Sequence, residues 1–224
     1  MKNARNVHSI VLFVILLIYN HPSYSQGNSE EFLKTIRHGN IERVDSCINA
    51  GFDVNLIDND RYTPLMFAIW GNHFKIVKLL IEQGADINMQ TEKGGNAMTV
   101  AGGMGNLEIC KYLVGKGGDI EAVDNEGKTV LMNAVYNMKK DVIPYFIQQG
   151  ANINAKEHNG YSALMFATIL NTPESVKLLI KAGANVNELT NEGETVLQRA
   201  KKIQDAKLGD MSDVIKLLEK AGAK

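Results

Sequence analysis

Net charge is almost absent from this sequence. Twenty-four lysines and arginines stand against twenty-five acids, a formal balance of −1 over 224 residues. With no bulk basic field, nothing draws the chain to nucleic acid. Proline is down to four residues, and glycine is not concentrated over long windows, so no low-complexity linker stands out. No run of about 20 apolar residues occurs, the length that a bilayer-spanning helix needs. A Gly-Lys-Ser/Thr phosphate loop is missing, and so is the G-x-G-x-x-G spacing of a dinucleotide loop. What remains, 45% hydrophobic and 22% charged, fits a soluble globular chain.

The first 25 residues are built differently. Lys2 and Arg5 give a positive start, "IVLFVILLIY" (10–19) runs apolar without a break, and "SYS" (23–25) places small residues at −3 and −1 of a cut after Ser25. This is the layout of a secretory signal peptide. It predicts residues 1–25 as signal, a mature chain of 26–224, and an exported protein, periplasmic or secreted. The rival reading is an uncleaved N-terminal anchor, but the run is about half the length of a span. Cleavage would remove Lys2 and Arg5 and no acid, taking the charge from −1 to −3. The mature chain is then expected to have no membrane contact.

A period runs through the rest. "GFDVN" begins at Gly51, "GADIN" at Gly84, "GGDIE" at Gly117, "GANIN" at Gly150 and "GANVN" at Gly183, each 33 residues after the last. "GAK" follows at Gly222, 39 residues on, so the final unit carries six extra residues. Upstream, "YTPLMFA" (62–68), "GNAMTVA" (95–101), "KTVLMNA" (128–134), "YSALMFA" (161–167) and "ETVLQRA" (194–200) keep the same register. Apolar stretches of helical period, such as "FKIVKLLIEQ" and "LEICKYLVGK", precede the glycine turns. Each unit therefore reads as a short helix, a tight turn, a second helix and a glycine-initiated loop. One such unit cannot bury its apolar face alone, so stacking must cover Leu79, Leu80, Ile81 and their equivalents. Thr63 is expected to cap a first helix with Pro64 at its first position, and Thr172 with Pro173 to do the same for a second helix. Pro144 predicts a late-starting second helix capped by Lys140 or Asp141.

On the 33-residue period, the "TPL" of residues 63–65, the "GN" turns at 39–40 and 105–106 and the "GADIN"-type turns, the chain resembles the ankyrin repeat family over about residues 29–224. The resemblance implies an all-α fold, a solenoid of stacked helix-turn-helix units with β-hairpin-like loops. In that frame residues 26–224 form one ankyrin repeat domain. It has an N-terminal unit (29–58), full repeats at 59–90, 91–123, 124–156 and 157–189, and a C-terminal cap unit (190–224). The family's histidine after "TPL" is replaced by Met66, Thr99, Met132, Met165 and Gln198. Methionine packing is expected in place of a threonine–histidine network.

The same frame accounts for "AGGMGN" (101–106), whose three glycines suggest a phosphate cradle. Gly102, Gly103 and Met104 close a first helix, and Gly105-Asn106 forms the turn between helices. Two glycines in a short helix cost roughly 1 kcal/mol each relative to alanine, so the third unit is expected to be the softest. Other chemistry is equally thin. His38, His73 and His158 fall in different units, so no metal site is expected. No Ser-His-Asp or Cys-His arrangement is readable. Asp53, Asp86, Asp119, Asn152 and Asn185 recur after the turn glycines, where short polar side chains bond the local backbone. Cys47 and Cys110 lie two units apart, on the order of 20 Å from the spacing of packed helices. That is too far for a disulfide. Both are expected to be buried. No cofactor is expected.

The resemblance implies a non-enzymatic protein-binding module whose contact surface is concave. Carried over by register, that surface comprises Tyr62, Trp70, Met104, Tyr136, Tyr161, Ile169 and Leu170. Its rim comprises Asp60, Arg61, Lys93, Glu126, Lys128, His158 and Asn159. Aromatic residues aligned on one open face suit an interface. The expectation is a monomer that binds a partner protein, as accessory or inhibitor of an envelope or secreted protein. The alternative is a hydrolytic or small-ligand site at the C-terminal insertion (201–211), whose support is that it breaks the period.

Overall fold

A computed structural model describes residues 22–224, with side-chain surroundings from Ser29 onward. Most of the expected export signal lies outside the described residues. Among the described residues twelve helices form six pairs: α1 (Pro22–Arg37) with α2 (Ile41–Asn49), α3 (Pro64–Trp70) with α4 (Phe74–Glu82), and α5 (Ala97–Met104) with α6 (Leu107–Gly115). They continue as α7 (Val130–Tyr136) with α8 (Ile143–Gln148), α9 (Ala163–Ile169) with α10 (Pro173–Lys181), and α11 (Val196–Asp205) with α12 (Ser212–Lys220). Helix α1 begins at Pro22 and so runs across the expected cleavage position.

First helices stack on first helices, from α1 through α3, α5, α7 and α9 to α11. In the other layer α2 meets α4, α4 meets α6, and α10 meets α12. The core lies between the layers and runs the length of the stack. Leu65, Ile69, Ile76 and Leu80 bury there, and Met98, Ile109 and Leu113 take the same places in the next unit. Leu79 and Ile81 pack at its margin. Met66, Met132 and Met165 are buried, as the missing family histidine predicts. The hairpin-like loops are not strands: among the described residues the sole ladder element is an isolated bridge from Val123 to Thr129. Each loop still closes a tight tip. Asp58, Thr91, Asp124, Glu157 and Thr190 each donate their N–H to the carbonyl four residues on.

Local chemistry explains the element boundaries. Thr63, Thr129, Ser162 and Thr195 each accept the N–H three residues ahead at a first-helix start. Asn96 and Thr99 form a reciprocal capping box, as do Thr195 and Gln198. Two capping expectations are corrected. Thr172 holds the N-cap position of α10 ahead of Pro173, but its side chain makes no cap bond; its hydroxyl donates instead to the Ala167 carbonyl, 3.0 Å away. Helix α8 starts late, as Pro144 requires, but its cap residue is Val142, and residues 140–142 are turn.

The units are tied together by side chains that composition does not reveal. Asp53, Asp86, Asp119, Asn152 and Asn185 each accept the N–H two residues on, at 2.8–3.1 Å. Asn55, Asn154 and Asn187 reach into the following unit, where each amide donates to a turn glycine's carbonyl and its oxygen accepts a nearby N–H. His73 contacts the Arg37 carbonyl at 3.1 Å, joining the second unit to the first.

Candidate functional site

The register places one solvent-facing column along the first helices: Arg37, Trp70, Gly103, Tyr136, Ile169 and Lys202, each 33 residues apart. A second column holds Phe67, Val100, Asn133, Phe166 and Arg199, and the hairpin column beside them holds Tyr62, Gly95, Lys128, Tyr161 and Glu194. Because the first helices stack as one layer, these columns share one face. Two aromatic clusters stand on it.

The N-terminal cluster joins Tyr62, Phe67 and Trp70. Tyr62 and Trp70 have ring centroids 4.5 Å apart, and Phe67 meets Trp70 edge-on at 5.4 Å. The Arg37 guanidinium lies 4.1 Å from the Phe67 ring centroid, a cation–π distance. Trp70 keeps 37% of its surface exposed. Beyond it the columns shrink to Gly95, Val100 and Gly103, so the third unit adds no ring to close the cluster. Met104, 40% exposed, is the large side chain there.

The C-terminal cluster joins Tyr136, Phe166 and Tyr161, with Phe166 at 5.7 and 5.9 Å from the two tyrosines. It is closed by cations at both ends. Lys128 sits 5.1 Å over Tyr136 and pairs with Glu126 at 2.5 Å. Arg199 lies 5.8 Å from the Tyr161 ring and donates to its hydroxyl at 2.9 Å. Arg199 also pairs with the buried Glu194 at 2.5 Å, and Lys202 reaches the same carboxylate at 2.9 Å. The hydrogen bond and charge of Lys128 hold the Glu126 carboxyl below the usual carboxylate range. Burial works against the Lys128 ammonium, but the bond and charge of Glu126 keep its pKa raised.

The expected contact residues are thus divided. Trp70, Met104 and Tyr136 are open, whereas Tyr62, Tyr161, Ile169 and Leu170 are half-buried. Phe67, Phe166, Arg37 and Arg199 were missing from the expected set. The signal for the two phenylalanines was the shared string Tyr-x-x-Leu-Met-Phe-Ala at 62–68 and 161–167. Along the rim Asp60, Arg61, Lys93, Glu126, His158 and Asn159 are exposed, and Lys128 is half-buried by its ion pair. The rim backbone is also structural. The carbonyls of Asp60, Lys93, Glu126 and Asn159 each accept an N–H from the next unit's tip, at 2.8–3.2 Å. Arg61 is held at φ 63°, where Gly94, Gly127, Gly160 and Gly193 occupy the equivalent tips.

The remaining chemical features are structural. Among the described residues no group of three His, Cys, Asp or Glu could hold a metal ion. Cys47 and Cys110 are free thiols. Cys110 is fully buried, and burial pushes its pKa up to about 12. Cys47 corrects the expectation of burial, being only partly covered at the thin N-terminal unit. The insertion lengthens α11 to ten residues and lowers Met211 into the core, while Leu208 stands 79% exposed. A cavity of about 580 Å³ lies elsewhere, between α1 and the first hairpin, beside Arg37, Ile57 and Asp60. Gly102 explains "AGGMGN" further. A Cβ there would lie 2.6 Å from Val130 Cγ1 and 3.0 Å from the Val130 carbonyl oxygen, so glycine lets α5 approach α7.

Known proteins carry the same pattern. A family model described as ankyrin repeats (many copies) matches residues 48–101, and one described as ankyrin repeats (3 copies) matches 85–157 and 139–224. An ankyrin repeat and KH domain-containing protein of Caenorhabditis elegans is 31% identical over 94 residues, covering 42% of this chain and 4% of that protein. An ankyrin repeat protein of Neurospora crassa is 40% identical over 52 residues, covering 23% of this chain and 5% of its own length. A putative ankyrin repeat protein of Escherichia coli, YahD, is 33% identical over 60 residues, covering 27% and 30%. In each case the matched stretch is less than a third of the relative's length.

Proposed function

The chain belongs to the ankyrin repeat family, and from that premise we propose that it binds a partner protein through the first-helix face, centred on Tyr62, Phe67 and Trp70. Ankyrin repeats are protein–protein interaction modules and generally not enzymes. The observation that carries the reading is Trp70. It stands 37% exposed beside two rings, and the next unit places glycine where a fourth ring would cover it. Large exposed rings at the rim of a packed cluster are typical binding anchors. Tyr136, 48% exposed, extends the surface toward the fourth unit.

Export is part of the proposal and rests on the charged, apolar and small-residue order of residues 2–25. The partner is then an envelope or secreted protein that this chain assists or blocks. Sequencing the N-terminus of the protein isolated from its host tests that half, with Gln26 as the expected first residue. Binding is tested by capture from the host's envelope and secreted fractions, comparing the parent with Trp70→Ala, Tyr136→Ala. Both residues are exposed, so the variant should fold. A protein held by the parent and lost by the variant is the expected result; equal capture would move the site elsewhere. The insertion at 201–211 offers two carboxylates, Asp205 and Asp210, and Asp210 is engaged by Ser212, so no observation favours the alternative of a hydrolytic or small-ligand site there.

A further inference from the structure

The fold sorts charge in a way that the near-neutral total hides. The five hairpin segments (51–63, 84–96, 117–129, 150–162 and 183–195) carry thirteen acids against four bases. The four second-helix segments between them (73–83, 106–116, 139–149 and 172–182) carry eight lysines against four acids. Among the described residues none of those eight lysines makes an ion pair; every such pair lies elsewhere. Lys78, Lys111, Lys177 and Lys216 hold one register position, with Pro144 between them, so they form a row along the second-helix layer. Lys111, Lys116, Lys177 and Lys181 are exposed.

Rings alternate with these charges. Lys78 lies 4.9 Å from the Phe74 ring centroid, Lys116 5.5 Å from Tyr112, and Lys111 6.0 Å from Tyr145. Phe74 and Tyr112 meet edge-on at 5.6 Å across neighbouring units. Apolar stems and half-buried rings topped by ammonium groups suit a boundary between apolar and aqueous phases.

We propose that the second-helix face docks reversibly on the surface of an anionic lipid bilayer. The lysines run on through four successive units, and the cavity of about 500 Å³ beside Phe74, Lys75 and Lys78 takes in only two of the eight. Charge spread in this way fits a continuous sheet of anionic headgroups better than a single acidic protrusion on a protein. The acidic hairpins are repelled by the same surface, which sets the orientation and leaves the Trp70 face free. The contact is peripheral, since no helix among the described residues is long and apolar enough to cross a membrane. The expectation of no membrane contact rested on removal of the apolar run at 10–19 with the signal, whereas this contact would be made by the folded repeats themselves.

Co-sedimentation with vesicles tests this, using the protein isolated from its host. Phosphatidylcholine vesicles containing phosphatidylglycerol are compared with phosphatidylcholine alone, at low and high salt. The anionic vesicles should bind about tenfold more tightly or better, with the preference lost at high salt. Lys78→Gln, Lys111→Gln, Lys177→Gln, shown by circular dichroism to be folded, should lose the preference, and Trp70→Ala should keep it. Equal binding to both vesicles, as the apolar run at 10–19 alone would give, overturns the proposal. So does binding to neither, or an unchanged preference in the triple variant. Binding to soluble poly-glutamate with no vesicle preference would also overturn it, in favour of an acidic protein partner.

Discussion

The two aromatic clusters share a register three units apart and the string Tyr-x-x-Leu-Met-Phe-Ala, but their neighbours differ. Around Tyr161 and Phe166 the following unit supplies the buried Glu194 and the half-buried Arg199, an ion pair that ends on the tyrosine hydroxyl. Around Tyr62 and Phe67 the following unit supplies Gly95 and Val100, which reach nothing comparable. In the C-terminal cluster Tyr161 and Phe166 are sealed by the last unit while Tyr136 stays open at the other edge; in the N-terminal cluster the open edge is Trp70, on the side of the following unit. The same ring at the same repeat position is locked or left accessible according to the residue 33 places on, and the recognition role proposed for Tyr62, Phe67 and Trp70 rests on that difference.

The largest effect that would sharpen this contrast is on binding. Trp70→Ala should weaken affinity for the captured partner by about 2–4 kcal/mol, the range of a binding anchor, as measured by calorimetry, with a much smaller change in stability. A small binding change with a large loss of stability would break the contrast. On the sealed side, Arg199→Met should lower unfolding free energy by about 2 kcal/mol in urea titration. It leaves Glu194 buried with only Lys202 as counter-ion. Partner affinity should hardly move.

The glycines of the third unit separate packing from recognition. Gly102→Ala should destabilise by about 1–3 kcal/mol, because its methyl would collide with Val130. Gly103→Ala meets only Asn137 Nδ2, at 3.4 Å. It should stabilise by up to about 1 kcal/mol through helix propensity while narrowing the open cluster and weakening binding. If both substitutions were neutral, the close approach of α5 to α7 would be refuted. The smallest effect is at the N-terminal tip. Arg61→Gly should raise stability by about 1 kcal/mol by relieving the positive φ, read as an increase in the thermal midpoint.

Much of the fold was legible because each unit repeats its own instructions. The turn glycines, Thr63-Pro64 and the Asp/Asn positions after each turn are local signals, and the structure uses them as the spacing implies. Thr172 was not legible in the same way, since a threonine before a proline can cap forward or bond backward, and here Ala167 takes its hydroxyl. The open face was legible as a set of positions, not as two clusters. Whether Tyr161 is free depends on Arg199, thirty-eight residues away, at a register position that holds Phe67, Val100, Asn133 and Phe166 in the earlier units. "AGGMGN" shows the same limit. Its register excludes a phosphate loop, but the need for Gly102 comes from Val130 in the neighbouring unit and appears only on stacking.

The most direct test of the account is the affinity of the captured partner for three forms of the chain: the parent, Trp70→Ala and Arg199→Met. Binding lost in Trp70→Ala and retained in Arg199→Met is the predicted result. Binding retained in Trp70→Ala and lost in a folded Arg199→Met would contradict it, placing recognition on the cluster assigned here to the cap.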